Sequence, residues 1–217
     1  AGAAGIFAVG GLEGTSKDGV HFLCLYDPDK DESLERFIGQ QGVHNTTMAS
    51  PNSDKDCIDL LKCVREQGGI AIAAHVCADN GLLATLEGQP RMNAWKSHDL
   101  YACALPGSIE DAPQGCKVIL KNTDPNHKRE RLVAVINAAD VNSHADLALP
   151  RSSCHIKMTS LSVEGLRQAF LDPSSRIRLS QAEVAELHTE FVAMSWEGGF
   201  LDGMRYADFQ GVRSFIK

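Results

Sequence analysis

The stretch GGIAIAAHV, residues 68–76, is an unbroken apolar run behind two glycines, and it ends on a histidine. A run without period-two alternation fits a strand covered on both faces, as in a parallel sheet. The segment before it, SDKDCIDLLKCVREQGG (53–69), carries Cys57, Leu60, Leu61 and Val64 at helical spacing. Ser53 suits the N-cap of that helix, and Gly68-Gly69 end it. A helix delivering the chain into a buried strand is the repeating unit of an α/β fold.

The order recurs outward from this point. Upstream, GIFAVGGLE (5–13) and GVHFLCLYD (19–27) read as two strands around a turn at Lys17-Asp18-Gly19, with His21, Leu23 and Leu25 on one face and Phe22, Cys24 and Tyr26 on the other. DESLERFIGQQG (31–42) reads as a short helix that Gly42 can close. Downstream, LYACALP (100–106) and RLVAVINAAD (131–140) read as strands, SIEDAPQGCKVILKN (108–122) as partly helical, and SVEGLRQAFLDP (162–173) as a helix capped by Ser162. After residue 180, SQAEVAELHTEF (180–191) has a helical pattern, and FVAMSWEGGFLDGMRYADF (191–209) reads as two strands around Glu197-Gly198-Gly199. His75 and Asp140 each end an apolar run, and the carboxyl ends of strands are where α/β sheets carry chemistry.

Composition narrows the classes. The 217 residues are 43% hydrophobic and 23% charged, enough to bury a core. A formal net charge of −7 argues against broad attraction to duplex nucleic acid. Lys128, Arg129, Arg131, Arg167, Arg176 and Arg178 are nonetheless candidates for a local basic groove, against the alternative of solvated surface charge. The seven cysteines are irregularly spaced and include no C-x-x-C, which points away from a disulfide framework or a structural zinc motif and toward a reducing, cytoplasmic setting. No apolar run is long enough to cross a membrane. The opening AGAAGIFAVGG (1–11) has no targeting signal and reads as the interior of a larger chain.

The candidate metal ligands are Glu13, His21, His75, Asp140 and His144. Imidazole and carboxylate donors together suit zinc, manganese or iron, and such a cluster can drive displacement at phosphorus. Taken singly, each histidine reads more readily as a packing or solvent-exposed side chain than as a ligand. A Cys-His nucleophile at His75 and Cys77 lacks an evident orienting acid. No G-x-S-x-G, G-x-G-x-x-G or G-x-x-x-x-G-K-[ST] occurs. His44, His98, His127 and His188 lie in polar or helical contexts and read as surface residues, while His155 reads as a packing residue.

In order, GGLEGTSKDGVHFLCLYDP (10–28), GGIAIAAHV (68–76), AVINAADV (134–141) and IKMTSLSVEGLRQAFLDPSSRIRL (156–179) resemble the PHP (polymerase and histidinol phosphatase) superfamily. The similarity is to the branch in which a PHP domain precedes an AAA-like or SMC-like ATPase, often called the TrlF family. It implies a distorted (β/α)7 barrel, present here in part, with a metal cluster at the carboxyl ends of its strands. It implies a PHP-like phosphoesterase domain over residues 1–180, with its first strands upstream of Ala1. Residues 181–217 would then open a P-loop ATPase domain, or form a linker, with ATP bound only beyond this chain.

By the same resemblance Glu13, His75 and Asp140 are catalytic. It implies that Glu13, His21, His75 and Asp140 hold a divalent metal, with His144 joining them only if its loop bulges, and that the substrate is a phosphodiester or nucleotide, with nucleic acid and the rest of the parent chain as partners. The family's histidine two positions after the aspartate is Asn142 here. The alternative is therefore a catalytically degenerate PHP scaffold that regulates the attached ATPase.

Overall fold

The computed structural model describes residues 7–40, 52–179 and the strand segments 190–197, 200–207 and 213–216. The chain divides into two compact units, Ala1–Ala182 and Glu183–Lys217. The first contains, in order, β1 (Gly10–Thr15), β2 (His21–Tyr26), α1 (Asp31–Gln40), α2 (Cys57–Glu66), β3 (Ile70–Ala73), α3 (Leu82–Thr85), α4 (Gly88–Lys96), β4 (Ala102–Leu105), α5 (Gln114–Leu120), β5 (Ala134–Asn137), β6 (Cys154–Ile156), α6 (Val163–Leu171), α7 (Pro173–Arg176) and β7 (Ile177–Leu179). The second contains β8 (Glu190–Glu197), β9 (Phe200–Ala207) and β10 (Arg213–Ile216), an antiparallel sheet in the order β10-β9-β8.

The architecture of the first unit is mixed α/β. Five strands form one sheet in the order β1-β2-β3-β4-β5, antiparallel from β1 to β3 and parallel from β3 to β5. Its edges are β1 and β5, so among the described residues the sheet is open rather than closed into a barrel; β6 and β7 pair separately. One face packs Phe22, Cys24 and Tyr26 against Phe37 of α1, Leu60, Leu61 and Val64 of α2, and Trp95 of α4. The other face gathers Ile70, Ile72, Ala102, Ala104, Ala134 and Ile136 under Val163 and Phe170 of α6. Strands β3 and β4 are buried at every position, which is why their sequences show no alternation.

The β1–β2 hairpin turns where Asp18-Gly19 predicts it. Gly19 has φ +87°, a conformation that favours glycine, and Gly19 N–H donates to Ser16 O at 2.9 Å. Ser162 caps α6, accepting from Gly165 N–H at 3.0 Å. The β8–β9 pairing brackets the expected turn, with Glu197 opposite Phe200.

Several expectations are corrected. The N-cap of α2 is Asp56, whose carboxylate accepts from Asp59 N–H at 2.9 Å, so the helix begins later than Ser53 implies. The strand read over residues 70–76 stops at Ala73, and His75 lies in the turn beyond it. Glu190 and Phe191, placed in a helix by their pattern, belong to β8; the rest of that predicted helix, Gly42, His44 and His188 lie outside the described residues. His127 is buried rather than exposed, because its Nδ1 pairs with Asp124 at 2.8 Å within a tight turn. His155 is exposed on β6 instead of packed.

Candidate metal centre

Three candidate ligands meet because of strand register. On the hairpin Glu13 lies opposite Leu23, and Thr15 lies opposite His21. Opposed residues share a face, so Glu13 and His21 are diagonal neighbours on one side of the sheet. Ile72 of β3 pairs with Leu23 on that face, and the chain turns immediately after β3 to present His75. Glu13 Oε1 is 3.1 Å from His21 Nδ1 and 3.7 Å from His75 Nε2, and His21 Nδ1 is 3.2 Å from His75 Nε2. The two rings meet edge to face at 5.1 Å between centroids.

This triangle has the dimensions of a coordination site. Bonds of about 2.0–2.1 Å to nitrogen and oxygen give a tetrahedron with edges of roughly 3.3–3.4 Å and an octahedron with edges of roughly 2.8–3.0 Å. The three observed separations bracket the first value and all exceed the second. All three ligand atoms are basic atoms that carry a lone pair. A cation satisfies all three basic atoms at once. The donor set therefore fits a divalent metal ion, and all three side chains are only partly buried.

His75 is held in place by its backbone. Its φ is +28°, outside the usual range for a residue with a side chain, and strain of this kind persists only where the surroundings enforce it. Gly81 is part of that enforcement. A Cβ there would sit 2.3 Å from His75 O and 2.7 Å from the Val76 carbonyl. Among the described residues His75 Nδ1 is buried without a hydrogen-bond partner, so packing and the turn orient the ring. Gly81→Ala is expected to lower stability by about 1–3 kcal/mol, the usual cost of overpacking. It should also weaken metal binding by displacing His75, which paired urea melts and metal titrations would measure.

A cleft of about 390 Å³ opens beside His75 at the carboxyl edge of the parallel strands. Its walls come from the loop after β3 (Cys77, Ala78), the loop after β4 (Pro106, Gly107, Ser108, with Asp111 to Pro113 beyond) and the end of β5 (Ala138 to Asp140). Asp140 thus borders the same cleft as His75 but stands outside the close triangle. His144 does not join either. It borders a separate depression with Val141, Asn142, Ser143 and Leu147. The cause is local: Asp146 accepts from the Asn142 and Ser143 amides at 3.0 and 2.8 Å and from the Ser143 hydroxyl at 3.0 Å, fixing this loop as a capping box. Those hydrogen bonds, the Ser143 hydroxyl foremost, hold the Asp146 carboxyl below the usual range. Ser108 and Asp111 line the cleft unforeseen by sequence spacing. Their signal is the S-x-x-D capping box, Ser108 Oγ donating to Asp111 at 2.7 Å.

Cys77 also borders the cleft, but burial pushes its thiol up, with Cys116 and Cys103 adding to the effect. A thiol so disposed makes a poor nucleophile. In the native protein Cys77 is expected to react with iodoacetamide at pH 8 at less than about a tenth of the rate of an exposed cysteine, as mass spectrometry of partially alkylated protein would show. Among the described residues no helix is long and apolar enough to cross a membrane. Comparison with protein-family models, with curated proteins and with solved structures finds no match for this chain.

Proposed function

We propose that the chain carries a metal-dependent phosphoesterase centre of the PHP kind, acting on a phosphodiester or nucleotide, with nucleic acid as the substrate class. The observation that carries this is the convergence of Glu13, His21 and His75, the last of which lines a cleft that Asp140 also borders. In this reading the open sheet corresponds to part of the superfamily's distorted barrel, and residues 181–217 lead into an ATPase domain. Zinc, manganese and iron all accept such donors.

A bound divalent ion supplies Lewis-acid polarisation of a phosphoryl oxygen and lowers the pKa of water. The chain's own residues do the rest. Glu13 would hold negative charge against such an ion, and His21 and His75 would complete its protein ligands. Of the two carboxylates lining the cleft, Asp111 is engaged by Ser108, and Asp140 is the one we assign to orient the attacking water or take its proton. The apolar walls, Leu105, Pro106, Ala112 and Pro113, seat the part of the substrate beyond the phosphorus and exclude bulk water.

The placement of His144 in a separate depression favours a second reading, a degenerate scaffold for an attached ATPase, because three convergent ligands fall short of a multinuclear cluster. Hydrolysis of bis(p-nitrophenyl) phosphate with added Mn²⁺ or Zn²⁺ separates the two. A catalytic centre gives turnover that chelator abolishes and that Glu13→Gln and His75→Ala each reduce at least about a thousandfold. Turnover unaffected by chelator, or equal in the variants, would remove the proposal.

A further inference from the structure

At the other edge of the parallel strands lies a second feature, unrelated to the metal centre. The residues leading into β4 and those leading into β5 form a depression of about 220 Å³ bordered by Lys96, His98, Lys128, Arg129, Glu130 and Arg131. Because β3, β4 and β5 run parallel, this edge is the opposite one from His75 and Asp140, a strand length of about 13 Å away.

The depression concentrates cations in a chain whose net charge is −7. Glu130 is the single carboxylate among its bordering residues, and among the described residues none of its four cations forms an ion pair with any carboxylate. Arg129 ties the two loops together. Its guanidinium donates to the Trp95, Ser97 and Leu100 carbonyls, and its Nε donates to Arg131 O at 3.1 Å. Burial, and after it the neighbouring Arg131, lower its pKa to about 10, so it stays charged at neutral pH. Arg131 donates to His98 O and lies over the Tyr101 ring at 4.7 Å, while its buried Nε has no partner. Lys96 and Lys128 are exposed on the rim. Two guanidinium groups held by backbone carbonyls, with two exposed ammonium groups on the rim and no ion-paired carboxylate, are an arrangement that recognises a tetrahedral oxyanion.

We infer that this depression is an anion-binding site for a phosphate group, distinct from the metal centre. A phosphate borne on a nucleic-acid strand and a free polyphosphate share that chemistry, and the test separates them. With the full chain in EDTA, which removes metal-dependent binding, pyrophosphate affinity is measured by calorimetry and affinity for a fluorescein-labelled thymidylate 15-mer by anisotropy, both at ionic strength matched with sodium chloride. Both rim lysines are exposed, so Lys96→Glu/Lys128→Glu should leave the fold intact, which a circular-dichroism melt verifies; Lys96→Ala/Lys128→Ala serves if the reversal melts early.

The wild type is expected to bind at least one probe, and the double variant at least tenfold more weakly. For the oligonucleotide the log–log salt slope should shrink by about 1.4, roughly 0.7 for each lost phosphate contact. Glu13→Gln should bind as the wild type does, whatever becomes of its phosphoesterase activity. Pyrophosphate binding alone identifies a free-anion site, and oligonucleotide binding identifies a strand contact. No saturable binding of either probe, unchanged binding in the double variant, or loss of binding in Glu13→Gln would overturn the assignment.

Discussion

His75→Ala and Glu13→Gln are each expected to lower the affinity of the protein for Zn²⁺ at least about a hundredfold, since loss of even an outer-shell partner of a metal site costs 10- to 100-fold. Both remove one corner of a three-atom triangle. Glu13→Gln keeps the shape of the side chain and removes its charge, so a fall in affinity there reports on the carboxylate itself. Neither residue is part of the buried core, and the two variants should therefore unfold at nearly the wild-type denaturant concentration. Titration against a chromophoric chelator gives the affinities and urea melts give the stabilities. Loss of stability without loss of affinity would mean that the cluster is a hydrogen-bonded element of the hairpin.

Phe22→Ala should do the reverse. Phe22 is fully buried between β2 and the helical layer of α1, α2 and α4. Truncating such a side chain costs about 3–5 kcal/mol, against a total stability of roughly 5–15 kcal/mol for a typical domain. Its neighbour His21 points to the opposite face of the same strand, and His21→Ala should cost far less stability while removing a metal ligand. Adjacent positions thus separate folding from function. Guanidinium melts of the two variants, run beside metal titrations, make the comparison. Equal destabilisation by both would show that the face bearing His21 is also needed for the core.

How much of this was legible in the sequence depended on how local the determining contacts are. Alternation in HFLCLY assigned both faces of β2 correctly, because period two is set by the backbone alone. The turn residues Asp18 and Gly19 fixed the hairpin register, and that register brings Glu13 to His21. The unbroken run before His75 identified a doubly covered strand, but that strand ends at Ala73 and His75 lies two residues on, in a turn at positive φ. That turn depends on the close approach of Gly81, which spacing does not encode.

The Asp140–His144 loop is governed by a different local device. Reaching the triangle from His144 needs the loop to bulge toward it, whereas the capping box around Asp146 settles the chain in another direction. His127 was misread as exposed although its cue is short-range: Asp124 three residues earlier, across Pro125, is a turn that hydrogen-bonds its own backbone and ring.

The most direct test is the visible spectrum of the chelator-washed full chain titrated with Co²⁺. A site built from Glu13 Oε1, His21 Nδ1 and His75 Nε2 at tetrahedral spacing should saturate at one ion per chain, with the intense d–d absorption of a four-coordinate ion, and His21→Ala should abolish that band. No saturable band in the wild type, or an undiminished band in His21→Ala, would contradict the metal centre.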